Sequence, residues 1–89
     1  IVIISADGIK SIRIPTEENR AFCIFEFIYF ARPDSTIFGQ NVYQMRKAHG
    51  RCLAREAPVD AQLVMPFPDS GTYAALGYAE ASGIPFEMG

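Results

Sequence analysis

Residues 63–86, LVMPFPDSGTYAALGYAEASGIPF, decide the fold that we expect for this chain. The run LVMPF (63–67) is short and apolar, as is typical of a parallel strand covered on both faces. Residues 68–71 form a loop, and residues 72–82 form an Ala-rich helix that Gly83 ends. Residues 84–86 then return to an extended path. Strand, helix and strand in this order predict an α/β fold with a parallel sheet.

The segment before this unit predicts a long helix over residues 41–56. Asn41 can cap its first turn, and Ala57-Pro58 ends it. Gly50 in mid-helix costs about 1 kcal/mol relative to Ala, which indicates close packing at that point. The apolar stripe that we expect to face the core contains Val42, Met45, Cys52 and Leu53. The arginines and Lys47 are expected on the other faces.

An aromatic segment at residues 22–31 precedes the long helix. Its period alone does not separate a buried strand from a buried helix. The spacing of Phe25, Ile28 and Tyr29 favours a short helix that Arg32-Pro33 ends. We interpret its aromatic side chains as core, and we expect a very short strand at residues 36–38.

The first residues predict a β-hairpin. Residues 1–4 are apolar and β-branched, Asp7-Gly8 follows, and isoleucines recur at 9, 12 and 14. An Asp-Gly pair between two such segments is a strong hairpin signal. Residues 15–20 are charged and turn-forming, so we expect a connector and a domain boundary there.

Composition limits the class of protein. The 89 residues are 49% hydrophobic and 20% charged with a net charge of -2, which predicts a globular chain and no nucleic-acid-binding stripe. No apolar run is long enough to span a bilayer, so we expect no membrane partner. Both ends read as the middle of a longer protein. Two cysteines are too few for a disulfide framework, and we expect a reduced cytoplasmic compartment.

The loop at residues 68–71 is the first place where chemistry is expected. It joins the end of a predicted strand to the start of a predicted helix, where α/β sheets bind ligands. Helix N-termini attract phosphate, and Ser70 can also ligate a hard cation. The alternative is that Asp69 or Ser70 simply caps the helix, which spacing alone favours.

Cys23 is the second candidate, although a free cysteine is more often a small buried side chain. Cys52 is interpreted as a core residue, and His49 as a helix residue without a catalytic role. The sequence contains no Ser-His-Asp constellation, P-loop, GxGxxG or CxxC pattern.

Several motifs together resemble one family. CIFEFIYFARPDS (23–35) resembles the segment that opens the phosphoribosyltransferase half of amidophosphoribosyltransferases. Val42-Tyr43 followed by Arg46 and Gly50 is similar to the family as well. The same holds for PFPDSG (66–71), AALGYA (74–79) and SGIPF (82–86). The resemblance runs without an evident gap from about Phe22 to Gly89, and the hairpin before it looks like the end of the family's glutaminase domain.

The resemblance implies an enzyme that transfers glutamine-derived ammonia to phosphoribosyl pyrophosphate, giving 5-phosphoribosylamine, glutamate and pyrophosphate, the first step of de novo purine synthesis. It implies two domains. Residues 1–20 would end an N-terminal-nucleophile hydrolase domain and supply the connector. Residues 21–89 would begin a type I phosphoribosyltransferase domain with a Rossmann-like parallel sheet. The nucleophilic cysteine and the ribose-phosphate loop would lie outside this segment, so no catalytic residue is expected in it and it should be inactive alone.

The resemblance also implies site residues. Asp69, Ser70 and Gly71 match the family's pyrophosphate loop, with the amides of Ser70 and Gly71 holding the diphosphate and Ser70 ligating Mg²⁺. This reverses the capping interpretation. Cys23 matches the first ligand of a [4Fe-4S] cluster found in one branch of the family. The expected partners are glutamine, phosphoribosyl pyrophosphate and further copies of the chain.

Two rival hypotheses remain. One is a non-catalytic α/β phosphate-binding module. The other is a phosphoribosyltransferase without a glutaminase domain.

Overall fold

The structure, a computed structural model, describes residues 1–15 and 21–89. It is a small α/β assembly with two antiparallel hairpins, a short π-helix and two α-helices. The elements are β1 (Val2–Ser5), β2 (Gly8–Ser11), the π-helix (Glu26–Phe30), β3 (Thr36–Ile37), β4 (Gln40–Asn41), α1 (Val42–Glu56) and α2 (Thr72–Ser82). The predicted connector and domain boundary at residues 15–20 fall almost entirely outside the described residues.

The predicted N-terminal hairpin is present. β1 pairs with β2 in an antiparallel register that sets Ser5 opposite Gly8. The turn is therefore formed by Ala6 and Asp7, one residue earlier than the Asp7-Gly8 pair, and Gly8 takes a φ of 120° at the start of β2. A φ of this sign suits glycine because it has no Cβ.

The aromatic segment is helical, as predicted, but it is wider than an α-helix. The Ala31 amide donates to the Glu26 carbonyl at 3.1 Å, which closes a π-type turn. The expectation that these aromatic residues form the core was wrong except for Phe27, which is 8% exposed. Within this segment the other aromatic side chains of the run are exposed: Phe22, Phe25, Tyr29 and Phe30.

A tight β-turn connects the π-helix region to α1. β3 and β4 pair antiparallel, and between them Phe38 and Gly39 have φ values of 51° and 77°. The short strand expected at residues 36–38 is thus confirmed as Thr36–Ile37. Asn41 then caps α1 as predicted, because its side-chain oxygen accepts from the Gln44 amide at 3.1 Å.

The buried face of α1 differs from the predicted apolar stripe. The buried residues are Val42, Arg46, Gly50 and Ala54, which recur every fourth position. Cys52 and Leu53, expected in the core, are exposed. The backbone of α2 can approach α1 closely only where α1 carries small residues. This steric requirement, and not the apolarity of the side chains, therefore determines which face of α1 is buried.

Close contact between α1 and α2 confirms the role predicted for Gly50. A Cβ on Gly50 would overlap the Ala74 carbonyl group and lie 2.8 Å from the Tyr78 nitrogen. On the facing helix, a Cβ on Gly77 would overlap the Lys47 carbonyl group. Each helix therefore presents a glycine to the backbone of the other. Tyr43 and Tyr73 extend the contact with ring centroids 5.3 Å apart, edge to face.

The strand predicted at residues 63–67 is reduced to one parallel bridge, between Val64 and Phe86. The Val64 amide donates to the Pro85 carbonyl at 2.8 Å, and the Glu87 amide donates to the Val64 carbonyl at 3.1 Å. Prolines on both segments lack the N–H needed to lengthen the ladder. The described residues do not supply the expected cover on both faces, since Phe67 is 90% exposed within this segment.

Neither α1 nor α2 has the length and apolar content needed to cross a membrane, and the structure describes no other α-helix.

Candidate diphosphate site

The loop at residues 68–71 follows the Val64 bridge and leads into α2, as the sequence predicts. The Gly71 amide donates to the Phe67 carbonyl at 3.2 Å, and the Thr72 amide donates to the Asp69 carbonyl at 3.2 Å. The peptide bond between Pro68 and Asp69 is cis. A Cβ on Gly71 would lie 2.7 Å from the Phe67 carbonyl oxygen, so only glycine lets the chain turn this sharply.

The start of α2 has no side-chain cap. Gly71 occupies the N-cap position, and neither Asp69 nor Ser70 bonds the first amides of the helix. Among the described residues, the amides of Ser70, Tyr73 and Ala74 have no backbone acceptor. These N–H groups and the helix dipole make this end of α2 locally positive.

A cavity of about 570 Å³ opens beside this loop. Asp69 and Ser70 line one wall, together with Thr72 and Tyr73 from the first turn of α2. Five consecutive residues, 29–33, form a second part of the lining, and Arg46 and Met88 complete it. The structure therefore brings two of the three predicted loop residues to one cavity, while Gly71 does not line it and closes the turn through its bond to Phe67.

Arg46 is a buried charged residue of the cavity lining, and the sequence predicted no site role for it. It is 4% exposed, and its guanidinium donates from Nε to the Phe27 carbonyl at 2.7 Å and from Nη2 to the Ala31 carbonyl at 2.8 Å. A buried charge needs such partners to offset its desolvation. The available signal was its spacing of four residues from both Val42 and Gly50, which places it on the packed face of α1.

Arg32 and Asp34 form an ion pair at the rim of the cavity. The Arg32 guanidinium donates to both carboxylate oxygens of Asp34, at 3.0 and 2.9 Å. These hydrogen bonds hold the pKa of Asp34 below its usual value and raise the pKa of Arg32. Both side chains are largely exposed, so the pair orients Arg32 more than it stabilises the fold.

Cys23 lies apart from this cavity. It is a free, exposed thiol just before the π-helix, and Cys52 is a free, exposed thiol on α1. Within residues 1–15 and 21–89, no group of three or more His, Cys, Asp or Glu side chains is arranged to hold a metal ion. The structure thus leaves Cys23 accessible but gives it no companion ligand within this segment.

Searches against known proteins give consistent relatives, although no family model matches the chain. An amidophosphoribosyltransferase of Rhizobium etli is 56% identical over 89 residues, covering 97% of this chain and 18% of that protein. The Bacillus subtilis amidophosphoribosyltransferase is 51% identical over 100% of this chain and 19% of its own length. The chain therefore spans less than a fifth of the curated relatives it matches.

Two solved structures share the fold at 51% identity. One is described as the allosteric regulatory enzyme of purine biosynthesis, with a TM-score of 0.87. The other is glutamine phosphoribosylpyrophosphate amidotransferase from Bacillus subtilis in complex with ADP and GMP, with a TM-score of 0.86. Each match covers 99% of this chain and 19% of the solved chain.

Proposed function

Because the chain belongs, as a segment, to the amidophosphoribosyltransferase family, we propose that the protein containing it makes 5-phosphoribosylamine from glutamine and phosphoribosyl pyrophosphate. Hydrolysis of the glutamine amide gives glutamate and ammonia. The ammonia nitrogen then bonds to the ribose anomeric carbon as the bond to pyrophosphate breaks. The proposal is supported by identity near 50% along the whole chain and by the loop and cavity described above.

We propose the domain division that the sequence suggested. Residues 1–20 end a glutaminase domain of the N-terminal-nucleophile hydrolase type, and residues 21–89 begin a type I phosphoribosyltransferase domain with a Rossmann-like sheet. The separate hairpin β1–β2 and the parallel Val64–Phe86 bridge with α2 between its segments support this division. A segment that holds neither the nucleophile nor the ribose-phosphate loop is inactive alone.

The diphosphate would bind at Asp69, Ser70 and Gly71. Breaking the ribosyl–oxygen bond places negative charge on the departing pyrophosphate, and donors already fixed there stabilise the transition state. The Gly71 amide is engaged by the Phe67 carbonyl, so the donor role passes to the amides of Ser70 and Tyr73, which both belong to residues of the cavity lining. Gly71 contributes by letting the turn close.

Mg²⁺ fits the residues that this wall presents. The Ser70 hydroxyl and the Asp69 carboxylate are oxygen ligands on one cavity wall, and Mg²⁺ commonly takes one or two protein oxygens and fills its shell with water and substrate phosphates. When bound, the ion neutralises part of the diphosphate charge.

Substitution of Ser70 tests the site. In the full-length protein, Ser70→Ala is expected to weaken transferase activity by about 10²-fold and to alter its Mg²⁺ dependence, because a fixed oxygen ligand is lost. Ser82→Ala, at the far end of α2, is the matched control and should retain wild-type kinetics. Unchanged transferase rates and Mg²⁺ dependence in Ser70→Ala would contradict the role.

The non-catalytic phosphate-binding module is not favoured, because the relatives that match the whole chain are named as enzymes. A phosphoribosyltransferase without a glutaminase domain would lack the nucleophilic cysteine upstream, which the full-length sequence would show directly.

A further inference from the structure

The wall of the cavity formed by residues 29–33 is held to α1 through main-chain carbonyls. The Tyr43 amide donates to the Pro33 carbonyl at 3.0 Å, and the Val42 amide donates to the Ser35 carbonyl at 3.0 Å. Arg46 bonds the carbonyl of Ala31, within this part of the lining, and the carbonyl of Phe27, which lies before it in the π-helix.

The loop at residues 68–71 is also positioned relative to α1. It leads directly into α2, and α2 meets α1 at the Gly50 and Gly77 contacts, which leave no space for a side chain. Tyr73, next to the loop, packs against Tyr43 of α1. Both walls are therefore attached to one rigid helix, and Arg46 makes the attachment at the π-helix end.

Of the two carbonyls that Arg46 engages, that of Ala31 belongs to the C-cap of the π-helix, and that of Phe27 belongs to its second residue. Carbonyl groups at a helix C-terminus carry partial negative charge and lack intrahelical partners. Left free, they would repel an anion in the adjoining cavity. The rigid fork of a guanidinium can satisfy two carbonyls at once, whereas a lysine ammonium is a compact point charge.

We propose that Arg46 is a positioning residue for diphosphate binding, an inference that depends on the proposed function. Through its bonds to Phe27 and Ala31 it holds the wall formed by residues 29–33 at a fixed distance from Asp69 and Ser70. It also engages the carbonyl of Ala31, a residue of the cavity lining, which would otherwise present partial negative charge there. The role concerns binding of phosphoribosyl pyrophosphate and not the chemical step.

Arg46→Lys in the full-length protein separates the effect of the two hydrogen bonds from the effect of the charge. The variant keeps a positive charge but loses the planar guanidinium that bonds two carbonyls at once. The KM for phosphoribosyl pyrophosphate is expected to rise about tenfold, in line with the loss of a hydrogen bond to a charged group. The kcat at saturating substrate should stay within about twofold of wild type, since the catalytic groups lie elsewhere. Arg55→Lys, an exposed position on the same helix, is the control for both values.

Each outcome decides the inference. An unchanged KM in folded Arg46→Lys would overturn it, and so would a loss of kcat with KM unchanged. If Arg46→Lys does not fold, the neutral Arg46→Gln is measured in the same way and is expected to raise the KM. If neither variant folds, Arg46 serves folding alone and the inference is overturned. If the wild-type protein shows no Mg²⁺-dependent binding of phosphoribosyl pyrophosphate, the proposed function itself fails and the inference with it.

Discussion

Gly50 of α1 lies against the main chain of Ala74 in α2 with no space for a side chain between them. A Cβ added to Gly50 would overlap the Ala74 carbonyl group and come within 2.8 Å of its carbon. Ala74 is in the first turn of α2, three residues after the loop ends. The glycine contact therefore sets where the candidate diphosphate site stands relative to α1.

Gly50→Ala tests this contact. In an unconstrained helix the change would stabilise by about 1 kcal/mol. Here the added methyl group forces the helices apart, and we expect the free energy of unfolding to fall by about 1–3 kcal/mol. Urea denaturation of the full-length protein measures the effect. Gln44→Ala, an exposed position on the same helix, is the control, and a stabilised Gly50→Ala would refute the packing argument.

Asn41→Ala removes the cap of α1. The Gln44 amide would lose its acceptor, so the free energy of unfolding is expected to fall by about 1 kcal/mol. Asn41→Asp keeps a side-chain oxygen at the same place and should remain close to wild type. Thermal denaturation of both variants separates the cap from other effects of the substitution. Equal losses in both would contradict a capping role.

Glu80 joins α2 to α1 through Lys47 and Arg51, the latter at 3.3 Å. The hydrogen bond from Lys47, chiefly, holds the pKa of Glu80 below its usual 4.5. Because the pKa is lower in the folded state, the pair stabilises the fold fully above the usual pKa of the carboxyl group. This contribution is lost as the pH falls through the folded-state pKa.

Glu80→Gln is therefore expected to lower the melting temperature at pH 7, and this effect should shrink as the pH falls from 4.5 through the lowered pKa of Glu80. The difference at pH 7 should shrink in high salt, because the carboxylate is half exposed. Asp34→Asn is the comparison, because it removes the Arg32–Asp34 ion pair, which does not join the two helices. A loss from Glu80→Gln that is independent of pH would contradict this account.

Iron content tests the hypothesis for Cys23. A [4Fe-4S] cluster is held by cysteine thiolates, and this segment can supply at most one ligand from the matching position. If the hypothesis holds, full-length protein purified without oxygen contains iron, and Cys23→Ser lowers the iron content and the visible absorbance. Cys52→Ser is the matched control, since both thiols are free and exposed. Iron-free wild-type protein would remove the hypothesis.

Local signals predicted the boundaries of most elements. Asn41 and Ala57-Pro58 mark the two ends of α1, and Gly83 ends α2 with the positive φ of 74° expected of a C-cap glycine. These signals act within a few residues, so a single sequence contains them fully. The loop that carries Asp69 and Ser70 was predicted for the same reason.

The face of α1 and the role of Arg46 could not be predicted in that way. Both depend on which helix approaches α1 and where the π-helix ends, and those partners are distant in sequence. Apolarity pointed to Leu53 and Cys52, whereas the observed contact needs small residues at Gly50 and Ala54. Arg46 is polar by type and buried only because two carbonyls are aimed at it.

The single bridge between Val64 and Phe86 affects how these 89 residues would behave if they were expressed alone. Leu63, Met65 and Phe67 stand exposed beside a strand with little pairing of its own. Unpaired strand edges next to large exposed apolar side chains pair with the same edges of other molecules. Such a polypeptide would aggregate in the test tube, and solubility tags or longer boundaries would be needed before its chemistry could be assayed.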